Sequence, residues 1–265
     1  MKKNLLLSLT AILIISIASC TKEITPPVTT PPTTTPPVVK TDSLKLGLLA
    51  YFPLDNSGAD SSGMGHDTYS YYSIVSTTNR FGKANSAFYF DGVDSYMIIK
   101  DKSDLRLSNT DFTINIWINV EAYSASYGSV ILCKRGPGSS SGWNYNVTGY
   151  LDQANGIPLG VNSFQVSGGL DPLAVGTKPL GNNQWHMVTT IYNLQKQEIS
   201  CYIDGVLDNV MGNVPSPSST ANTDLYVGAD SQSSAYYLKG KLDDLRIYDR
   251  ALPVSQIKKL FALTN

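Results

Sequence analysis

Glutamate, histidine and cysteine are scarce in this sequence of 265 residues. Glutamate occurs three times, at Glu23, Glu121 and Glu198, and the chain has only two histidines and three cysteines. With so few cysteine and histidine side chains, the sequence excludes a cysteine-rich zinc module and a histidine-rich metal centre. Lys and Arg together number 20 against 21 for Asp and Glu, so the basic surplus of a nucleic-acid-binding protein is also absent.

Glycine and tyrosine are abundant instead, with 21 and 16 copies, and serine, threonine and asparagine are frequent. This composition favours strands joined by many turns. Short apolar runs follow one another, separated by turn residues such as Asp91-Gly92 and Asp204-Gly205. They predict strands near 48–52, 87–90, 96–99, 112–120, 129–134, 185–192, 198–203, 224–227 and 241–248. Only Val254–Leu263 has a helical pattern, so the sequence predicts an all-β, two-sheet antiparallel jelly-roll sandwich with a short C-terminal helix.

The N-terminal segment has the pattern of an export signal. Residues 1–19 combine Lys2 and Lys3 with an apolar run that is too short for a stable membrane span. Ile17-Ala18-Ser19-Cys20 resembles the bacterial lipobox, which implies cleavage before Cys20 and lipidation of its thiol. Residues 20–43, rich in Pro-Pro pairs and threonine, predict an extended linker. We therefore expect a lipid-anchored protein of the bacterial cell envelope, facing outward from the outer membrane.

Residues 44–265 form the predicted domain, and six blocks within it occur in a familiar order. They are FYFDGVDSYMII (88–99), FTINIWIN (112–119), WHMVTTIY (185–192), ISCYIDGV (199–206), LYVGAD (225–230) and GKLDDLRIYDRAL (240–252). Together they resemble the laminin-G-like, concanavalin A-like jelly roll, in its bacterial branch related to pentraxins. The resemblance implies two antiparallel sheets, frequently one calcium ion, and the binding of glycans or proteins.

A structural calcium ion is the first predicted ligand. The loop LDNSGADSSGMGHD (54–67) offers the carboxylate of Asp60 and the backbone carbonyls of Gly63 and His66, and calcium prefers such oxygen ligands. Strand alternation places Asp243 on the same inward face as Leu245 and Ile247. The resemblance brings the loop and this strand together, so Asp60, Gly63, His66 and Asp243 are the predicted metal ligands. The alternative is that Asp60 caps a turn and Asp243 accepts hydrogen bonds from backbone amides.

Catalysis has little support in the sequence. Glycoside hydrolysis ordinarily needs two carboxyl groups that flank the bond, and the concanavalin-like glucanases place theirs in a Glu-x-Asp-x-x-Glu run that is missing here. Asp243 and Asp244 are adjacent, and alternation would point them to opposite faces.

A glycan-binding surface is the remaining prediction. Trp117 and Trp185 lie within the family blocks, whereas Trp143 lies in a Ser/Gly/Asn-rich stretch outside them. We therefore predict a binding loop at 139–150 that uses Trp143, Asn144, Tyr145 and Tyr150. If Trp143 is a core residue, the loop tyrosines at 69, 71 and 72 are the alternative site.

The functional expectation is a lipid-anchored binding module for a glycan or polysaccharide, with structural calcium, without catalysis and without nucleic-acid partners. The alternatives are a glycosidase that acts on O-glycosyl bonds and a lipoprotein that binds protein in adhesion or assembly.

Overall fold

A computed structural model describes residues 42–136, 141–166, 173–231 and 236–264. In this part of the chain the backbone forms fifteen strands, two α-helices and one 3-10 turn at Ser103–Arg106. The strands are β1 Leu48–Phe52, β2 Thr68–Tyr72, β3 Val75–Thr77, β4 Ala87–Asp91, β5 Tyr96–Ile99, β6 Phe112–Val120, β7 Ser129–Arg135, β8 Gly142–Val147, β9 Asn162–Val166, β10 Leu173–Val175, β11 Trp185–Asn193, β12 Glu198–Ile203, β13 Val206–Met211, β14 Leu225–Val227 and β15 Lys239–Tyr248. The helices are α1 Tyr150–Ala154 and α2 Val254–Phe261.

The strands form two sheets, and every strand pair is antiparallel. Sheet A has the order β13-β12-β11-β6-β15-β4-β3, with β1 also paired to β15, and sheet B has the order β10-β9-β8-β7-β14-β5-β2. The two sheets pack face to face as a sandwich. This architecture confirms the predicted all-β fold class, which is consistent with a jelly roll.

The main core lies between the sheets. Phe52, Phe90 and Phe112 from sheet A meet Tyr145 and Phe164 from sheet B, and all five side chains are fully buried. Each strand contributes alternate residues to this layer because successive side chains point to opposite faces of a sheet. The outer face of each sheet therefore takes the remaining residues.

Helix α2 covers the outer face of sheet A. Ile257 and Leu260 of α2 pack with Trp117, Met187 and other residues in a second apolar cluster, and the ring of Phe261 stacks on Trp117 with a centroid distance of 5.5 Å. Helix α2 thus covers the centre of the outer face of sheet A, whereas the outer face of sheet B carries polar side chains such as Asn144 and Gln165.

The cysteines of the domain do not pair. Cys133 on β7 and Cys201 on β12 belong to different sheets, and both are buried free thiols. Burial raises the pKa of Cys133 to about 11 and that of Cys201 to about 12. Cys20, the predicted lipidation site, and most of the predicted linker lie outside the described residues. Within the described ranges, no helix has the length and apolar character needed to cross a membrane.

Candidate functional site

The predicted binding loop contains a strand of sheet B. Residues Gly142–Val147 form β8, between β7 and β9. Trp143 and Tyr145 point into the core and have no exposed surface, and Trp143 Nε1 donates a hydrogen bond of 3.2 Å to the Leu105 carbonyl. The prediction that these two rings are exposed for ligand binding is therefore wrong, because the period of two along the strand directs both inward.

Asn144 lies on the opposite face of the same strand, as the prediction needs. It lines a cavity of about 270 Å³ on the outer face of sheet B. Asn146 on β8 and Ser163 and Gln165 on β9 face the same cavity because they alternate with core residues. The remaining walls are Tyr127, Gly128, Val130, Arg135, Thr148, Asp152, Asp230 and Tyr236. Tyr150, the fourth predicted ligand residue, begins α1, is half exposed and is not part of these walls.

Three polar atoms on residues that line this cavity lack a hydrogen-bond partner within the described part of the chain. The side-chain oxygens of Asn144 and Asn146 and the Nε of Arg135 are buried and have no hydrogen-bond partner among the described residues. A buried polar atom without a partner costs about 1–3 kcal/mol, so these three atoms favour a hydrogen-bond partner, and the cavity is the space that their residues share. The volume is close to the lower end of ligand pockets, about 300–1,000 Å³.

The charges around the cavity are partly compensated. Arg135 Nη1 lies 3.6 Å from Asp230 Oδ2. Asp152 Oδ2 accepts a hydrogen bond of 2.9 Å from the Gly149 amide, which caps helix α1. Burial raises the pKa of Asp152 above its ordinary value, against the lowering effect of this hydrogen bond. The described wall therefore holds one guanidinium and two carboxyl groups.

A row of tyrosines continues the outer face of sheet B beside the cavity. Tyr96 on β5 stacks on Tyr72 of β2 at 4.3 Å between ring centroids and on Tyr226 of β14 at 5.8 Å. The ring centroid of Tyr237 lies 6.2 Å from that of Tyr96. We call these four residues the tyrosine row. Tyr72 belongs to the predicted alternative group, whereas Tyr96 and Tyr226 were missed because they lie inside apolar strands.

Among the predicted calcium ligands, Asp60 closes its own loop. Its carboxylate accepts hydrogen bonds from the backbone amides of Tyr51, Ser62 and His66 at 3.0, 2.8 and 2.9 Å. Burial opposes ionisation of Asp60, but these hydrogen bonds outweigh it and hold its pKa below the ordinary value. Gly63 and Gly65 have positive φ angles of 85° and 74°, which allow the loop to turn its amides toward Asp60. The His66 ring is buried, and its Nε2 lies 3.0 Å from Asp104 Oδ1.

Asp243 does not face the core with Leu245 and Ile247. The register of β15 against β6 shifts between Asp243 and Arg246, and Asp244 has a φ of 52°. This bulge adds one residue to the strand, so Leu242 and Leu245 both face the core and Asp243 faces the opposite side. The prediction for the direction of Asp243 is therefore wrong, and so is the expectation that Asp243 and Asp244 point to opposite faces.

Arg80 satisfies both of these carboxylates. Its Nη1 lies 2.5 Å from Asp243 Oδ2 and its Nη2 lies 2.8 Å from Asp244 Oδ2. Arg80 is thus the cationic partner of Asp243, while Asp60 receives amide donors. Within the described residues, no three His, Cys, Asp or Glu side chains converge as a metal site. The residues predicted to hold calcium do not fit one ion in this arrangement, and calcium binding stays a prediction of the sequence.

Comparison with known families agrees with this fold. A model described as the concanavalin A-like lectin/glucanases superfamily, Laminin_G_3, matches residues 90–258, more than half of the chain. The chain belongs to this family. No curated protein sequence matches this Laminin_G_3 chain significantly.

Solved structures with the same fold include several binding domains. The binding domain of Paraclostridial Mosquitocidal Protein 1 has a TM-score of 0.64 at 17% identity, over 82% of this chain and 52% of that one. Domain 4 of AbnA, a GH43 extracellular arabinanase from Geobacillus stearothermophilus in complex with arabinotriose, has a TM-score of 0.60 at 21% identity, over 80% and 97%. A botulinum neurotoxin type C structure, described in relation to cell entry dependent upon interaction with two ganglioside molecules, has a TM-score of 0.60 at 14% identity, over 82% of this chain and 51% of that one.

At these identities the likeness shows the fold and not the ligand. This Laminin_G_3 chain spans about half the length of the toxin chains that it matches, and nearly the whole of the arabinanase domain.

Proposed function

We propose that this Laminin_G_3 domain binds carbohydrate in the cavity on the outer face of sheet B, without cutting it. The observation that supports this most is the set of buried, unpartnered polar atoms on Asn144, Asn146 and Arg135. Sugar hydroxyl groups both donate and accept hydrogen bonds, so they can satisfy amide oxygens and a guanidinium at once. Tyr127 and Tyr236 add aromatic surface at the edge, against which the apolar faces of a sugar ring can pack.

The absence of catalysis is part of the proposal. The Glu-x-Asp-x-x-Glu run of the related glucanases is missing from the sequence. The two described carboxyl groups of the cavity also have other contacts, Asp152 with the Gly149 amide and Asp230 with Arg135. Asp243 and Asp244 lie beneath Arg80 with almost no exposed surface, so a substrate cannot reach them.

A cellular setting completes the proposal. Lipidation at Cys20 would tether the domain to the bacterial envelope through the Pro/Thr-rich linker of residues 20–43, with the domain on the outer side. An extended linker of this kind rises about 3.1 Å per residue, so it would hold the binding cavity several nanometres from the membrane.

A glycan array with matched variants tests the binding proposal. Asn144→Leu and Asn146→Leu should each weaken glycan binding at least tenfold, because each removes an acceptor of the cavity. Neither should lower the melting temperature much, since an apolar group of similar shape replaces an atom that had no partner in the fold. Asn182→Leu, in an exposed turn, is the control and should bind normally.

The proposed absence of catalysis is tested by incubating the protein with polysaccharides and assaying for new reducing ends. Release of reducing ends by the wild type, lost in Asp152→Asn, would contradict the non-catalytic proposal. Failure of every glycan to bind would contradict the carbohydrate proposal and favour a protein partner.

A further inference from the structure

The polypeptide enters the domain beside helix α2. Asp42, the first described residue, has its Oδ1 3.2 Å from Nζ of Lys259 on α2. Arg250, which precedes α2, donates hydrogen bonds of 2.7 and 2.6 Å to the carbonyl groups of Ser43 and Leu46. The predicted linker therefore reaches the domain next to α2.

The exposed surface around this entry combines lysines with apolar side chains. Ile257 and Leu260 of α2 are buried against sheet A, so the helical period leaves Lys258 and Lys259 on the outer side. We define the tether face as the exposed residues Lys45, Leu46, Val254, Lys258, Lys259 and Phe261. Basic and apolar side chains together are the chemistry with which protein surfaces bind anionic lipid.

The charge of the domain is unevenly distributed along the chain. Residues 42–48 and 249–264 carry four basic side chains against two acidic ones, whereas residues 49–248 carry 12 against 18. Asp204, in the turn that adjoins α2, is engaged by His186 Nδ1 at 2.8 Å and by the Met187 amide at 2.9 Å. An anionic surface would therefore attract the tether face and repel the remainder of the domain.

Helix α2 and the cavity lie on opposite sides of the sandwich. Helix α2 packs on the outer face of sheet A, whereas the cavity is lined by outward residues of β8 and β9 in sheet B. The inner faces of the two sheets form the core between them. A membrane in contact with α2 would therefore leave the cavity open on the side away from the lipid.

We propose that the tether face docks on the anionic lipid surface of the membrane that holds the anchor, so that the cavity points away from it. This inference rests on the lipid anchoring proposed above, is independent of carbohydrate binding, and adds the orientation of the domain. The lysines contact lipid phosphate groups, and Leu46, Val254 and Phe261 enter the interface.

The linker makes a weak contact sufficient. The 22 residues from Cys20 to Thr41 reach at most about 70 Å at about 3.1 Å per residue, and a Pro-rich chain keeps its direction over several residues only. The linker can therefore bend back, and it holds the tether face at a high effective concentration of lipid.

Energy transfer on vesicles tests the docking. The chain from Cys20 onward is coupled through the Cys20 thiol to maleimide lipid, since Cys133 and Cys201 are buried. The vesicles contain dansyl lipid in phosphatidylcholine, with or without phosphatidylglycerol. Trp117 stacks on Phe261, so docking should raise tryptophan-to-dansyl transfer about twofold with phosphatidylglycerol, and high salt should remove the increase by screening.

Charge-removing variants locate the contact. Lys258→Gln combined with Lys259→Gln should lower the transfer to the level on phosphatidylcholine, and Lys45→Gln should lower it in part. The control combines Lys100→Gln and Lys239→Gln, which remove two exposed lysines away from α2, and should match the wild type. Thermal melts of each variant separate a folding defect from a docking defect.

Added tryptophans test the orientation. Ser255→Trp places an indole on the exposed side of α2, and Gln153→Trp places one on exposed α1 beside the cavity. Ser255→Trp should add more energy transfer than Gln153→Trp on the phosphatidylglycerol vesicles. Equal or opposite gains would overturn the orientation.

The chemical coupling separates this inference from the lipid-anchor proposal. Equal transfer on the two kinds of vesicle, or an equal loss in the control variant, would overturn docking through the tether face while lipidation of Cys20 stands. A chain that docks when coupled but is not lipidated in the cell would show that the anchor proposal is wrong and that the surface still binds anionic lipid.

Discussion

Arg80 donates a hydrogen bond to Asp243, with Nη1 2.5 Å from Oδ2 and both side chains almost completely buried. The same guanidinium reaches Asp244 at 2.8 Å and lies 4.5 Å from the centroid of the Trp117 ring. Arg246 also contacts Asp244, at 3.1 Å. Two arginines thus compensate the charge of two buried carboxyl groups on the outer face of sheet A, at the position where the sequence suggested a calcium ion.

Removing Arg80 should destabilise the fold strongly. Arg80→Met leaves Asp243 buried without its cation, and breaking a buried pair from one side typically costs about 3–5 kcal/mol. We expect a loss of that size in the free energy of unfolding, measured by urea denaturation. Lys83→Met is the matched control, because Lys83 pairs with Asp55 at 3.8 Å with both side chains about half exposed, and such a pair contributes about 0–1 kcal/mol. Equal losses in the two variants would contradict a structural role for the Arg80 cluster.

The pH dependence of stability should show the titration of Asp243. Burial and the neighbouring Asp244, against the lowering effect of Arg80, raise the pKa of Asp243 from 3.8 to about 7. Between these two values the folded state holds a proton that the unfolded state has lost. The free energy of unfolding contributed by this group therefore falls as the pH rises from about 4 to about 7.

The variant Asp243→Asn isolates this effect. It does not titrate, so the difference between wild-type and variant unfolding free energies should change with pH in that window and become constant outside it. Carboxyl groups with lowered pKa, such as Asp101 and Asp224, titrate below the window and affect both proteins equally. Parallel profiles for the two proteins would show that Asp243 is ionised throughout.

Trp143 should behave as a core residue. Its ring has no exposed surface and stacks on Phe164 at 5.8 Å. Trp143→Ala should therefore lower the free energy of unfolding by about 3–5 kcal/mol, measured by urea denaturation. Tyr150→Ala, at a position half exposed, should change it by about 0.5 kcal/mol or less. A stable Trp143→Ala protein with reduced glycan binding would instead support the prediction that Trp143 contacts the ligand from a binding loop at 139–150.

The two sheets could be predicted because strand patterning and turns are local properties of the chain. The run at 112–120 alternates apolar and polar residues and the run at 185–192 is rich in β-branched and aromatic residues, and they became β6 and β11 almost unchanged. Strand β8 was missed because Gly142 and the asparagines at 144 and 146 disfavour strands by propensity. Its neighbours β7 and β9 override that preference by pairing with it on both sides.

The candidate site was predictable only in part, because it depends on which face each residue occupies. The sequence identified Asn144 as a candidate ligand residue, but the strand period of two places it on the face opposite to Trp143 and Tyr145. The direction of Asp243 could not be read from the pattern, because the bulge at Asp244 changes the alternation by one residue. The pairing of Arg80 with Asp243 joins residues 163 positions apart, and a sequence motif does not encode such a distance.

Asp60 should stabilise its loop without calcium. Asp60→Ala removes the acceptor of three backbone amides and one Ser62 hydroxyl group, and each amide left without a partner costs about 1–3 kcal/mol. We expect a lower melting temperature for this variant in both EDTA and calcium chloride, and a wild-type melting temperature that calcium does not change. A calcium-dependent rise of several degrees in the wild type, abolished by Asp60→Ala, would establish the calcium site that the sequence suggested.

Membrane attachment should depend on Cys20. The sequence Ile17-Ala18-Ser19-Cys20 follows a short apolar run, and acyl chains on the mature cysteine would each contribute about 0.8 kcal/mol per buried methylene group. Cys20→Ser should therefore move the protein from the membrane pellet to the soluble fraction after a carbonate wash, and should abolish incorporation of labelled palmitate. Cys201→Ala, which removes a buried thiol of the domain, is the control and should remain in the pellet. A Cys20→Ser protein that stays in the membrane without label would show that another segment anchors it, since the thiol is the lipid acceptor in the proposed arrangement.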